Sequence, residues 1–169
     1  MRINVSKNLS LLKYCIPCGA KCCKTGKLIG SPVLSKDETL NIKEIAKGHI
    51  KEVLSPTGEK YYILLEQEGA NRCFFLTEKN KCKIQKVKPL DCLCYPVKAV
   101  YNDGKEIRFI IDKNCPAARH LGNEFIEEAK LIALRSIKRF GRQTYHHWLH
   151  NNVGWAEKAT ELEESLENF

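Results

Sequence analysis

The chain has 169 residues, enough for one globular domain with a real core and too few for two large ones. Hydrophobic residues at 43% and charged residues at 28% describe a folded chain and exclude a disordered one. The net charge of +8 is unevenly spread: residues 1–30 hold six Lys or Arg and no acid, whereas residues 151–169 hold one Lys against five Glu.

The first residues, MRINVSKNLSLLKYC, contain no apolar run of the length a secretory signal requires, and no window approaches 18 consecutive apolar residues. A cytoplasmic protein with no membrane association is therefore expected. Next comes CIPCGAKCC at 15–23, four of the nine cysteines in nine residues. Nine is odd, so a complete disulfide framework would leave one thiol over, and in a reducing compartment clustered thiols are metal ligands more often than disulfides. The basic residues around the cluster, Lys21, Lys24 and Lys27, would offset the charge of about −2 on a divalent ion held by four thiolates. Their rival reading, a nucleic-acid footprint, is set second because no aromatic-interleaved stretch accompanies them.

SKDE at 35–38 fits a capping box, with Ser35 as N-cap and Glu38 at N3. Leu40, Ile42, Ile45, Ala46, His49, Ile50 and Val53 then recur at helical spacing, predicting three to four turns stopped by SPTG at 55–58. YYILLE at 61–66 and RCFFLTE at 72–78 read as β-prone runs, with KNK at 79–81 a tight turn before Cys82. VKAVY and EIRFIID flank NDGK, the strongest hairpin signal in the chain. From Asn123, Phe125, Ala129, Ile132, Ala133, Ile137 and Phe140 mark one face of a helix that Gly141 stops, followed by a helix over TYHHWLH and an acidic one from Trp155 to Glu167. The expected fold is α+β: a small antiparallel sheet flanked by helices and stapled by Cys-ligated metal, with a C-terminal helical segment. It reads as a single domain over 1–169, with a cysteine-cluster metal-binding core at 15–118 and a helical C-terminal extension at 123–169.

Cys15 and Cys18 form a CxxC pair whose gap lets both sulfurs reach one ion, with Gly19 free to take the left-handed conformation such knuckles use. Adjacent side chains diverge, so Cys22 and Cys23 are expected to serve two different metal atoms. Eight ligands make two four-coordinate sites. If residues 92–94 are extended, Cys92 and Cys94 point the same way, and the prolines at 89 and 96 fix the turn around Cys92; Cys94 is then the spare. The expected metal ligands are Cys15, Cys18, Cys22, Cys23, Cys73, Cys82, Cys92 and Cys115. No catalytic residue is assigned, since neither HExxH, nor H-x-E before PCxxC, nor a defensible Ser-His-Asp set is present.

CIPCGAKCC, Cys73-Phe-Phe-Leu, Cys82-Lys-Ile, KPLDCLCYP at 88–96 and Cys115-Pro together resemble the cysteine-cluster family described as a zinc- or iron-chelating domain and named CxxCxxCC. The resemblance spans residues 15–118. Here three residues rather than two precede the Cys pair, Lys88-Pro89 stands where that family has Arg-Pro, and Leu93 stands where it has Arg. The resemblance implies a metal-binding protein of no defined activity. Because a flagellin lysine methylase carries a similar domain, it also gives an alternative, a metal- or Fe–S-dependent enzyme, oxidoreductase or protein-modifying, with an open coordination position. A nucleic-acid-binding module is the weaker alternative.

Zinc, as two ions, is placed ahead of iron or an iron–sulfur cluster, because soft ligands in CxxC pairs suit it and the usual C-x2-C-x2-C spacing is absent. Metal ions are the expected partners; a protein partner is left open, and nucleic acid is not expected. His146, His147 and His150 could form a metal or proton-transfer face, but read better as a polar helix face beside Trp148. His49 reads as a satisfied core histidine, and His120, after CPAAR, as a group that could support Cys115.

Overall fold

Residues 11–24, 31–102 and 106–151 are described by the computed structural model. The chain begins there with a short helix, α1 (Leu12–Cys18), where the sequence suggested only a turn. Gly19 caps it at φ 71°, and Ala20 follows at φ 51°. Two successive left-handed residues reverse the chain into a 3₁₀ turn, Lys21–Cys23.

After β1 (Val33–Leu34), Ser35 opens α2 (Lys36–Ala46) with the expected capping box. The helix then stops short of the expected Val53. Lys47 at φ 47° and Gly48 at φ 83° end it after three turns, and Ile50–Leu54 becomes strand β2. Strand β3 (Lys60–Leu64) pairs antiparallel with both β1 and β2, giving a sheet of order β1-β3-β2. β2 keeps Ile50 and Val53 partly covered on opposite faces, Ile50 against the smaller core and Val53 against the larger, so the spacing that mimicked a helix serves a strand lying between two cores.

RCFFLTE does not form a strand. It contributes two isolated bridges, Glu66 with Cys73 and Leu76 with Cys82, around turns closed by Leu76 N–H to Cys73 O at 3.0 Å and Thr77 N–H to Lys81 O at 2.9 Å. The Gln67 side chain lies within hydrogen-bond distance of the carbonyls of Cys73, Phe74 and Leu76, so groups that a strand would need for a ladder are used by a turn.

KPLDCLCYP forms a one-turn helix, α3 (Leu90–Cys94), so the extended geometry under which Cys92 and Cys94 would point the same way does not occur. The predicted hairpin follows as β4 (Val97–Asn102) and β5 (Glu106–Ile111), a second sheet separate from the first; the tip of NDGK lies outside the described residues. Two small antiparallel sheets thus replace one. Helix α4 (Asn123–Phe140) ends at Gly141 with φ 74°, and α5 (Arg142–Asn151) covers TYHHWLH. The acidic helix expected at 155–167 lies outside the described residues.

The larger core joins α3, α4, α5 and the β4–β5 hairpin through Leu93, Val97, Ile110, Ala133, Ile137 and Trp148. A smaller one joins α2, β3 and the turns after it through Leu34, Ile42, Leu64, Phe75 and Ile84. Cys73 and Cys82 pack against the smaller core, and Cys94 lies within the larger. No described helix is long and apolar enough to cross a membrane.

Candidate metal centre

Helix α1 sets Cys15 and Cys18 one turn apart on one face, with the Cys18 thiol donating to the Cys15 carbonyl at 3.3 Å. In the 3₁₀ turn that follows, successive side chains point about 120° apart, so Cys22 and Cys23 face different directions although their sulfurs are 4.0 Å apart. Cys23 O accepts from Cys73 N–H at 2.7 Å, which ties this knuckle to the central turns. Cys73 and Cys82 stand at the two isolated bridges, Cys92 within α3, and Cys115 immediately before a 3₁₀ turn that begins at Pro116. All nine cysteines are free thiols.

Two cavities separate these thiols into groups. The first, of about 50 Å³, is lined by Cys15, Cys18, Cys22, Cys92 and Cys115. The second, of about 70 Å³, is lined by Cys22, Cys23, Cys73, Cys82 and Cys92. Each is several times the ~10–15 Å³ that a single water requires, so each has room for an ion. Cys22 and Cys92 line both. Cys92 interacts electrostatically with Cys23, Cys73 and Cys82, which favours the second group, and Cys115 with Cys18; Cys15 interacts with Cys18 and Cys115 but also with Cys23, and Cys22 with both Cys15 and Cys92, so the two groups adjoin. Among the described residues no three His, Cys, Asp or Glu side chains yet converge tightly enough to hold an ion, so the thiols ring the cavities rather than meet at a point.

Burial governs thiol acidity here. It pushes Cys73 up to about 12 and raises Cys15, Cys82, Cys92 and Cys115. Cys22 is held protonated first by its hydrogen bond to Cys23, and the same bond lowers Cys23 to about 7. Cys94 stands apart: it is 1% exposed, packs in the larger core and donates to Asp91 O at 3.3 Å, and burial puts it at about 12.

Several residues that shape the site carry no motif of their own. Glu38 caps α2 with one carboxylate oxygen, and with the other accepts from Leu90 N–H at 2.7 Å, 52 residues away, so it also fixes the start of α3. Asp91 and Lys98 form a buried ion pair beside the second cavity, with the Lys98 ammonium 5.2 Å above the Trp148 ring. Burial pulls that ammonium down to about 7, against the charges of Cys22 and Asp112. Tyr95 lines both cavities and donates to Asp112 Oδ2 at 2.9 Å; burial, more than Asp112, raises its phenol far above the ordinary value. The signal available in sequence for this group was position alone, within KPLDCLCYPVK.

Among the described residues, no histidine lines either cavity. His147 Nδ1 lies 3.3 Å from Tyr61 Oη, the side chain of His150 falls outside the described residues, and His49 stacks on Phe74 at 3.8 Å with Nδ1 3.1 Å from Ala46 O. His120 is exposed and stacks on Tyr14, which lines the first cavity.

Thiol-ringed cavities on an α+β scaffold define a cysteine-cluster domain of metal-chelating type. A family model, CxxCxxCC, described as "Putative zinc- or iron-chelating domain", matches residues 14–116, and the chain belongs to this family. Comparison with curated proteins and with solved structures gives no significant match.

Proposed function

We propose that the protein binds two zinc ions through eight thiolates, with Cys15, Cys18, Cys22 and Cys115 around one ion and Cys23, Cys73, Cys82 and Cys92 around the other. The observation that carries this reading is the pair of cavities, each ringed by thiols drawn from segments distant in sequence. The donor set fits: soft sulfur in fours suits zinc and leaves no coordination position to a substrate, which favours a structural or metal-handling module over an enzyme. When bound, the ions would supply a cross-link between the two cores in place of apolar packing. The chain's part is to hold the thiols. α1 positions the first pair, the 3₁₀ turn splits Cys22 from Cys23, and Gln67 with the 73–82 turns presents the central pair. Such a thiol-dependent fold suits a reducing compartment such as the cytoplasm.

Metal analysis of protein purified without oxygen tests the reading. The expected result is a colourless protein with about two zinc ions per chain, each lost in a Cys22→Ala or Cys23→Ala variant independently of the other. A brown solution absorbing near ~400 nm would replace zinc by iron and sulfur, and the absence of stoichiometric metal would overturn the reading.

A further inference from the structure

We propose that Lys88 is a counter-charge shared by both thiol sites, its one ammonium offsetting the negative charge that accumulates on each. The inference rests on the two-site reading and adds the residue that makes two anionic centres tolerable side by side.

Cys22, Lys88, Cys92 and Tyr95 line both cavities, and Lys88 is the one cation among them. Lys21 lines only the first and Lys98 only the second. Lys98 is engaged with Asp91 and lies over Trp148. The Lys88 side chain is half-buried and, among the described residues, has no hydrogen-bond or ion-pair partner. What it faces is sulfur: Cys15, Cys18, Cys22 and Cys115 line the first cavity with it, and Cys22, Cys23, Cys73, Cys82 and Cys92 line the second. The backbone also fixes its place. Lys88 ends the 3₁₀ turn Gln85–Val87, and the next residue, Pro89, accepts at 3.0 Å from the N–H groups of both Cys92 and Leu93. The ammonium's anchor and a thiol of the second site therefore move as one unit.

The electrostatic need is large. Four thiolates around a divalent ion leave about −2 at each site, and two such sites share a wall. In a partly dry environment these charges repel strongly, and a cation between them relieves both at once. Lys21, Lys24 and Lys27, the basic residues nearest the Cys22–Cys23 pair in sequence, were the expected compensators; of the two that are described, Lys21 lines one cavity and Lys24 lines neither, while Lys27 lies outside the described residues.

The test is a competitive zinc titration of the full-length reduced protein against a chromophoric chelator, comparing wild type, Lys88→Gln, Lys88→Arg and Lys21→Gln. The expected result is two ions bound in every case. Both sites weaken about ten-fold in Lys88→Gln, which corresponds to about 1.4 kcal/mol each, Lys88→Arg stays near wild type, and Lys21→Gln affects at most the first site. Raising the salt concentration should narrow the gap between wild type and Lys88→Gln, because the lost interaction is a screened charge. Lys88→Gln leaving either site at wild-type affinity, or Lys88→Arg being as damaging as Lys88→Gln, would overturn the inference. Failure of the wild type to take up two ions would instead overturn the metal reading, and is seen before any variant is compared.

Discussion

Cys22 and Cys23 show how much one residue of displacement changes in a 3₁₀ turn. Their sulfurs are neighbours, and their contact raises Cys22 while lowering Cys23. Cys23 is therefore the more readily ionised of the pair, while burial holds Cys94 at about 12. Because the thiolate is the nucleophile, a short pulse of iodoacetamide at pH 7 on reduced, chelator-treated protein should label Cys23 first and Cys94 last, read by peptide mass spectrometry. Equal labelling of all nine thiols would contradict this arrangement. The sequence showed that Cys22 and Cys23 must diverge, because any regular backbone separates adjacent side chains. It could not show which of the two is the more acidic, since that depends on their contact across 4.0 Å and on Lys88 arriving from 65 residues away.

Among the elements, those with a strong local signal were legible: the capping box of α2, the β4–β5 hairpin and the apolar face of α4 ending at Gly141. The end of α2 was misread because Ile50 and Val53 continue a helical spacing, although Gly48 two residues earlier carried the stop signal. The stretch from Cys73 to Cys82 was misread because its β propensity yields to Gln67, whose amide is itself oriented by Arg72 Nε–H at 2.6 Å to Oε1. The α3–β4 connection has a different weakness, since its two elements are joined through the buried Asp91–Lys98 pair. Lys98→Met leaves the Asp91 carboxylate buried without its cation and should cost about 3–5 kcal/mol, whereas adding Asp91→Asn should recover most of that loss. Urea unfolding of the metal-loaded protein measures both. A double variant as unstable as the single one would mean that the lysine acts through packing rather than charge.

At the scale of the whole molecule, the cysteines join segments that chain order keeps far apart, so the candidate thiols were readable from motif spacing while their distribution around two cavities required the fold. Cys73, Cys82 and Cys92 reach Cys23 only because the smaller core folds the central turns beneath the knuckle. This makes metal binding, and the stability it contributes, a function of proton concentration. A thiol raised in the folded chain stays protonated at neutral pH and must release its proton to the solvent when it becomes a ligand, so affinity rises with pH. At the second site Cys73, Cys82 and Cys92 are raised and Cys23 lies at about 7. Below pH 7 all four thiols carry protons, and the logarithm of apparent affinity should climb by about four per pH unit; above it Cys23 is already ionised and the slope should fall to about three. The change of slope belongs to Cys23, so it should vanish in Cys23→Ser while the wild-type curve keeps it. Competition titrations from pH 6 to 8 read both limbs, and a slope of two or less throughout would show that thiols are not the ligands. Acidification then loosens the centre and the fold together, since the same protons that displace the ion return charge-neutral thiols to the walls of the cavities.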